Sequence, residues 1–146
     1  MGHDFSVQSA VFDRSGERVL TASDDKTARL WDAATGAELA VLRGHDGWVQ
    51  SAVFDRSGAR VLTASYDSTA RLWDAATGAG LALLRHDGPV WSAVFDRSGA
   101  RVLTTSNDNT ARIWRVFPTV VALVEHARAI MPRALTPAQR KQFFLD

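Results

Sequence analysis

The chain has 146 residues, 46% of them hydrophobic and 23% charged, with a formal net charge of +1 and no cysteine. That is the composition of one soluble folded domain of ordinary size. The balanced charge offers no electrostatic case for nucleic acid or an anionic membrane, and the missing cysteines exclude disulfides and thiolate metal sites.

Charge is uneven along the chain. Residues 1–114 carry 12 Lys/Arg against 14 Asp/Glu, and residues 115–146 carry 5 against 2, which marks a boundary near Arg115. A reducing cytoplasm is the expected compartment. No secretory h-region opens the chain, and the longest aliphatic run, Val120 to Val124, is too short to span a bilayer. Fifteen arginines against two lysines fit a GC-rich bacterial genome. The opening "MGHDFS" matches a myristoylation pattern, but Gly2-His3 is a pair that returns at Gly44-His45 and belongs to a repeat.

Taken in order, the local signals are of strands and tight turns. "VQSAVF" is extended and apolar, "DRSG" supplies turn chemistry ending at Gly16, and "RVLTAS" is a second strand. A short turn around Asp25 leads into "TARLWD", then "AATG" turns again into "ELAVLR". These four strands form an antiparallel meander. The same order then recurs. Residues 9–43 match residues 51–85 at 30 of 35 positions, and residues 51–74 match residues 92–115 at 19 of 24. The pattern is period-two alternation, which excludes a helical solenoid. One such meander cannot bury both its faces, so the copies must stack.

His3, His45 and His86 each precede Asp25, Asp67 and Asp108 by 22 residues, and each Asp precedes Trp31, Trp73 and Trp114 by six. Gly-His, a fixed spacer, this Asp and a closing Trp-Asp resemble the WD-repeat β-propeller family over residues 2 to about 115. The resemblance implies an all-β fold of four-stranded propeller blades. Blade one would cover 1–43, blade two 44–85 and a partial blade three, without its outer strand, 86–116. It also implies that His, a second-strand Thr, the turn Asp and Trp form a hydrogen-bonded structural tetrad in each blade. The threonines at matching positions are Thr21, Thr63 and Thr104. Two departures stand out: Arg115 replaces the closing Asp, and His86 lacks its Gly.

A His, a Thr and an Asp together also invite a hydrolase reading, with threonine as nucleophile. Three equally spaced copies favour a structural device, because each repeat needs one and an enzyme does not. The expectation is therefore no enzyme, no cofactor and no metal.

Function is expected where nearly identical repeats differ. Asp24, Tyr66 and Asn107 precede the turn Asp; Lys26, Ser68 and Asn109 follow it. Ser6, Trp48 and Pro89, with Gln8, Gln50 and Trp91, stand around the start of the first strand. In the resembled fold these loops emerge on one rim, the top. The aromatic members suit a protein or peptide partner.

After Trp114 no fourth strand is legible. Residues 117–146 read as a short helical tail, with Val120, Leu123, Val124, Ala127 and Ile130 on one face and Pro132 ending the first helix. Thr136-Pro137-Ala138-Gln139 caps a second helix. The tail resembles segments that follow the last repeat in bacterial STAND-type multidomain NTPases, but this chain carries no NTPase motif. Its apolar face is expected to cover the edge of blade three.

Three blades cannot close a propeller ring, which takes about four to eight. If an open blade face leaves on the order of 500 Å² of apolar surface wet, it forgoes about 12 kcal/mol. That rivals the stability of a whole domain. Two expectations follow: the chain is the C-terminal piece of a longer propeller, or copies join head to tail into six or nine blades. A protein-interaction scaffold is the reading chosen, ahead of a hydrolase and an inert amplified arc.

Overall fold

A computed structural model describes residues 1–116, so the helical tail expected over 117–146 lies outside the described residues. Eleven strands follow one another: β1 (Val7–Phe12), β2 (Arg18–Ser23), β3 (Ala28–Asp32), β4 (Glu38–Leu42), β5 (Val49–Phe54), β6 (Arg60–Ser65), β7 (Thr69–Asp74), β8 (Gly80–Arg85), β9 (Val90–Phe95), β10 (Arg101–Ser106) and β11 (Ala111–Arg115). They make three antiparallel sheets, β1-β2-β3-β4, β5-β6-β7-β8 and β9-β10-β11. The described residues are thus all-β, and their sheets are the meanders of WD-repeat blades.

The turns show why the sequence bends where it does. Asp13 accepts from the Ser15 hydroxyl and from the Glu17 and Arg18 amides, while the Gly16 amide donates to the Asp13 carbonyl. Gly16 takes a left-handed φ of 77°, a region glycine enters without steric cost. At the third turn Asp32 accepts from the Ala34 and Thr35 amides, and Asp74 does the same for Ala76 and Thr77. Arg115 occupies that position in the third sheet and cannot accept those bonds. Among the described residues that sheet has three strands.

The core lies between sheets. Leu20, Ala22, Ala28 and Leu30 of the first sheet bury against Val49, Ala52, Val61 and Trp73 of the second. One repeat on, Leu62, Ala64, Ala70 and Leu72 pack with Val90, Ala93 and Val102. The second sheet is therefore covered on both faces, and every residue of β6 is buried. In β10, the third copy of that strand, exposed and buried positions alternate along the first half.

A second device ties each sheet to the next. Arg18 holds its own turn carboxylate, Asp13, at 2.9 Å and donates from Nη2 to the Gly58 carbonyl at 2.7 Å. Its guanidinium lies over the Phe54 ring, 4.9 Å from the centroid. Arg60 repeats this with Asp55 at 2.8 Å, the Gly99 carbonyl at 2.7 Å and the Phe95 ring at 5.0 Å. The approach is close: a Cβ on Gly58 would meet Arg18 Nη2 at 2.6 Å. Burial would raise the Asp55 carboxyl, but hydrogen bonds from Arg60 and Ser57 outweigh it and hold it below its usual value.

Arg60→Ala leaves the Asp55 carboxylate buried without its cation and should cost about 3–5 kcal/mol. Urea unfolding of this variant checks the figure. A loss under 1 kcal/mol would mean that the bridge between sheets is decorative.

Candidate functional site

Every blade brings its four spaced residues together. His3 Nδ1 lies 2.7 Å from Asp25 Oδ2, His3 Nε2 lies 2.6 Å from the Thr21 hydroxyl, and Trp31 Nε1 donates to that hydroxyl at 2.9 Å. The second blade gives 2.8, 2.6 and 2.9 Å for His45–Asp67, His45–Thr63 and Trp73–Thr63. The third gives 2.9, 2.6 and 2.8 Å for His86–Asp108, His86–Thr104 and Trp114–Thr104. In each, the imidazole also meets the indole edge-on, with centroids about 6 Å apart.

The carboxylate only accepts, so Nδ1 donates to it. In a neutral imidazole Nε2 then accepts the threonine O–H, and the threonine oxygen in turn accepts the indole N–H. The order threonine, histidine, aspartate is that of a nucleophilic triad. Access separates the two uses. Thr63 and Thr104 have no exposed surface, and each hydroxyl is already engaged by an imidazole and an indole. A substrate carbonyl could reach Thr63 only by unstacking the blade.

Two partners of the network went unread in the sequence. The threonine two places after each Asp (Thr27, Thr69, Thr110) gives that carboxylate both its amide and its hydroxyl. The serine two places before it (Ser23, Ser65, Ser106) accepts the aspartate amide and donates to a carbonyl of the histidine loop. Both recur at fixed spacing in "S-x-D-x-T", so the signal was present, but it reads as ordinary turn composition.

These donors set the acidity of the tetrad. Burial pushes the Asp25 carboxyl up, but hydrogen bonds from Thr27, His3 and the Asp4 amide bring it down to about 2. Burial also works against Asp67, where His45 and Thr69 hold the carboxyl well below the usual range. The Thr110 hydroxyl leads the same lowering at Asp108.

The variable residues share one edge of the blades, the edge that carries the tetrad loops. The Asp24, Tyr66 and Asn107 amides donate to the Ser6, Trp48 and Pro89 carbonyls at 2.9, 2.8 and 2.8 Å. Gln8, Gln50 and Trp91 fall where the register shifts, each as the extra residue of a β-bulge. Bulges re-aim side chains and are common beside functional sites. Gln8 turns to Asp24 at 2.8 Å. Tyr66 stands between Trp48 and Trp91, with both centroid distances 5.4 Å, so one aromatic patch crosses the boundary between the second and third blades. Trp48, Tyr66 and Trp91 remain 51%, 45% and 43% exposed.

The family model "WD domain, G-beta repeat" matches residues 1–32, 36–74 and 81–115. The chain belongs to the WD40 family. WD40 repeats are generally protein-interaction scaffolds and generally non-enzymatic, and the buried, saturated threonines of these blades agree with that use. A 35-residue segment is 51% identical to the "Vegetative incompatibility protein HET-E-1" of Podospora anserina. It covers 24% of this chain and 3% of that protein, so the likeness is one of WD40 repeats alone.

In an unfolded chain an aspartate titrates near 3.9. The folded pKa values lie lower, so their stabilisation is complete above about pH 4 and is lost as pH falls through the folded values toward 2. Thermal melts should drop steeply below about pH 4. Asp67→Asn should cost about 1–3 kcal/mol at neutral pH and blunt that acid loss. A fully stable Asp67→Asn chain would contradict the structural role.

Proposed function

We propose that this WD40 chain is a protein-interaction scaffold whose partner, a protein or peptide, docks on the rim formed by Trp48, Tyr66 and Trp91. The neighbouring positions Ser6, Gln8, Asp24, Gln50, Pro89 and Asn107 tune the contact. We further propose that the arc of blades is completed by self-association or by further blades of a longer chain.

The single observation that carries the rim is the half-exposed aromatic patch itself. Three large rings in contact, one pair tilted and the other edge to face, lie outside either core cluster and keep apolar surface in water at a real cost. Aromatic residues clustered in this way are the types that dominate binding hot spots. The repeat comparison adds a second support. Blade one has Ser6, Gln8 and Asp24 at the equivalent places, all polar, with the same backbone bonds. The fold therefore does not need aromatic residues there, which leaves recognition as their use.

Peptides selected from a displayed library on the wild-type chain should lose at least about tenfold in affinity for the Trp48→Ala/Trp91→Ala double variant. Its Tm should stay within a few degrees of wild type. Binders indifferent to the change would remove the rim from the account. A collapse in Tm would make the two rings core residues, and failure to select any binder would favour an inert arc.

A further inference from the structure

The inter-blade contact is a knob, a socket and a hook, formed twice within the chain. Phe54 is the knob of blade two, packed against the core cluster that holds Leu20 and Leu30 and lying beneath Arg18, which hooks the Gly58 carbonyl. Phe95 repeats it against the cluster that holds Leu62 and Leu72, beneath Arg60, with Gly99 as the hooked residue. Each end of the arc keeps one half of this contact.

At the blade-three end, Arg101 holds Asp96 at 2.9 Å as its counterparts do. Among the described residues it reaches no carbonyl and no ring of a following blade. Beside it lies a hollow of about 280 Å³ lined by Val94, Phe95, Arg101, Leu103 and Ile113. Val94, Leu103 and Ile113 are the third copies of Val53, Leu62 and Leu72, and Leu62 and Leu72 belong to the cluster against which Phe95 and Val53 pack. Ile113 is 66% exposed where Leu72 is 2%. At the blade-one end, Phe12 is the first copy of Phe54 and Phe95 and is 69% exposed. A Cβ on Gly16 would meet nothing within 4 Å, whereas the same atom on Gly58 or Gly99 would strike the hooking arginine. Among the described residues, a socket and a hook lack their knob at one end, and a knob lacks its socket at the other.

We propose that a second copy of this chain supplies both missing halves. Phe12 of one copy enters the hollow of the other, whose Arg101 guanidinium takes the Gly16 carbonyl. The reciprocal contact closes a ring of two copies and six blades. This rests on the self-association reading above and names its surfaces. The contact is head to tail, so a closed ring leaves no open face. Two copies of the three described blades make six, within the usual range of about four to eight.

A second copy is favoured over a foreign partner because both surfaces already meet each other inside the chain. The replacements on the open face are compatible with that contact. Ile113 stands for Leu72 at similar volume. Thr105, which stands for Ala64, has its hydroxyl bonded to Ser92 at 2.8 Å within its own blade.

Sedimentation equilibrium of the full chain tests this. The wild type should have twice the 15.9 kDa chain mass. Phe12→Asp and Ile113→Asp should each be monomeric, because each damages both contacts of the ring. Mixing the two variants should restore a dimer, since one contact then has wild-type residues on both sides. Trp48→Ala should remain dimeric, and Arg101→Ala should weaken the dimer about tenfold or more. A monomeric wild type, with its face covered by its own tail or left for further blades, would overturn both this assembly and self-association. A dimer indifferent to Phe12→Asp and Ile113→Asp would overturn these surfaces and leave self-association standing. Two monomeric variants that do not associate on mixing would overturn the head-to-tail contact and expose simple misfolding.

Discussion

A four-stranded sheet that is apolar on both faces is incomplete until a neighbour covers each side. The rest of this molecule depends on that constraint. It explains why the blade recurs three times, why β6 is the most thoroughly buried of the described strands, and why the positions buried as Leu62 and Leu72 in blade two lie open as Leu103 and Ile113 in blade three. Hydrogen bonds within a sheet satisfy its backbone, but they do nothing for the faces. Only stacking removes those from water.

The polar residues divide into two sets with different tasks. The His-Thr-Asp-Trp network works within a blade: it satisfies a buried imidazole, hydroxyl and carboxylate at once and fixes the loop before the first strand against the turn after the second. The Asp-Arg pairs of the "DRSG" turns work between blades, by reaching the next turn's carbonyl and stacking on its phenylalanine. The rim aromatics belong to neither set. Tyr66, Trp48 and Trp91 are bolted down by backbone bonds and a bulge, so their rings are displayed on a rigid edge instead of a mobile loop.

Much of this was legible in the residues, because a repeat multiplies weak signals. Strand order and turn glycines follow from the residues themselves, and the Gly-His, turn Asp and Trp-Asp motifs carry the resemblance to the WD-repeat family. The distances within each tetrad depend on strand register, and the 22- and six-residue spacings fix which side chains share a register position but not how close they come. The inter-blade hook was written three times as an Asp followed five residues later by Arg, yet it reads as turn chemistry. Its meaning lies in the angle between blades, which no local pattern encodes. The contact of Tyr66 with Trp91 is hidden for the same reason: the two are 25 residues apart in sequence and belong to different sheets. The helical reading of the tail falls outside the described residues.

The central claim, that stacking and not the polar network holds a blade, has a direct test in the isolated peptide of residues 44–85. That peptide keeps all four strands of blade two and every member of its tetrad, His45, Thr63, Asp67 and Trp73, and loses only its neighbours. Thermal unfolding followed by near-ultraviolet circular dichroism of its tryptophans should show no cooperative transition and no fixed aromatic signal. A sharp transition with a native-like tryptophan signal would contradict the account.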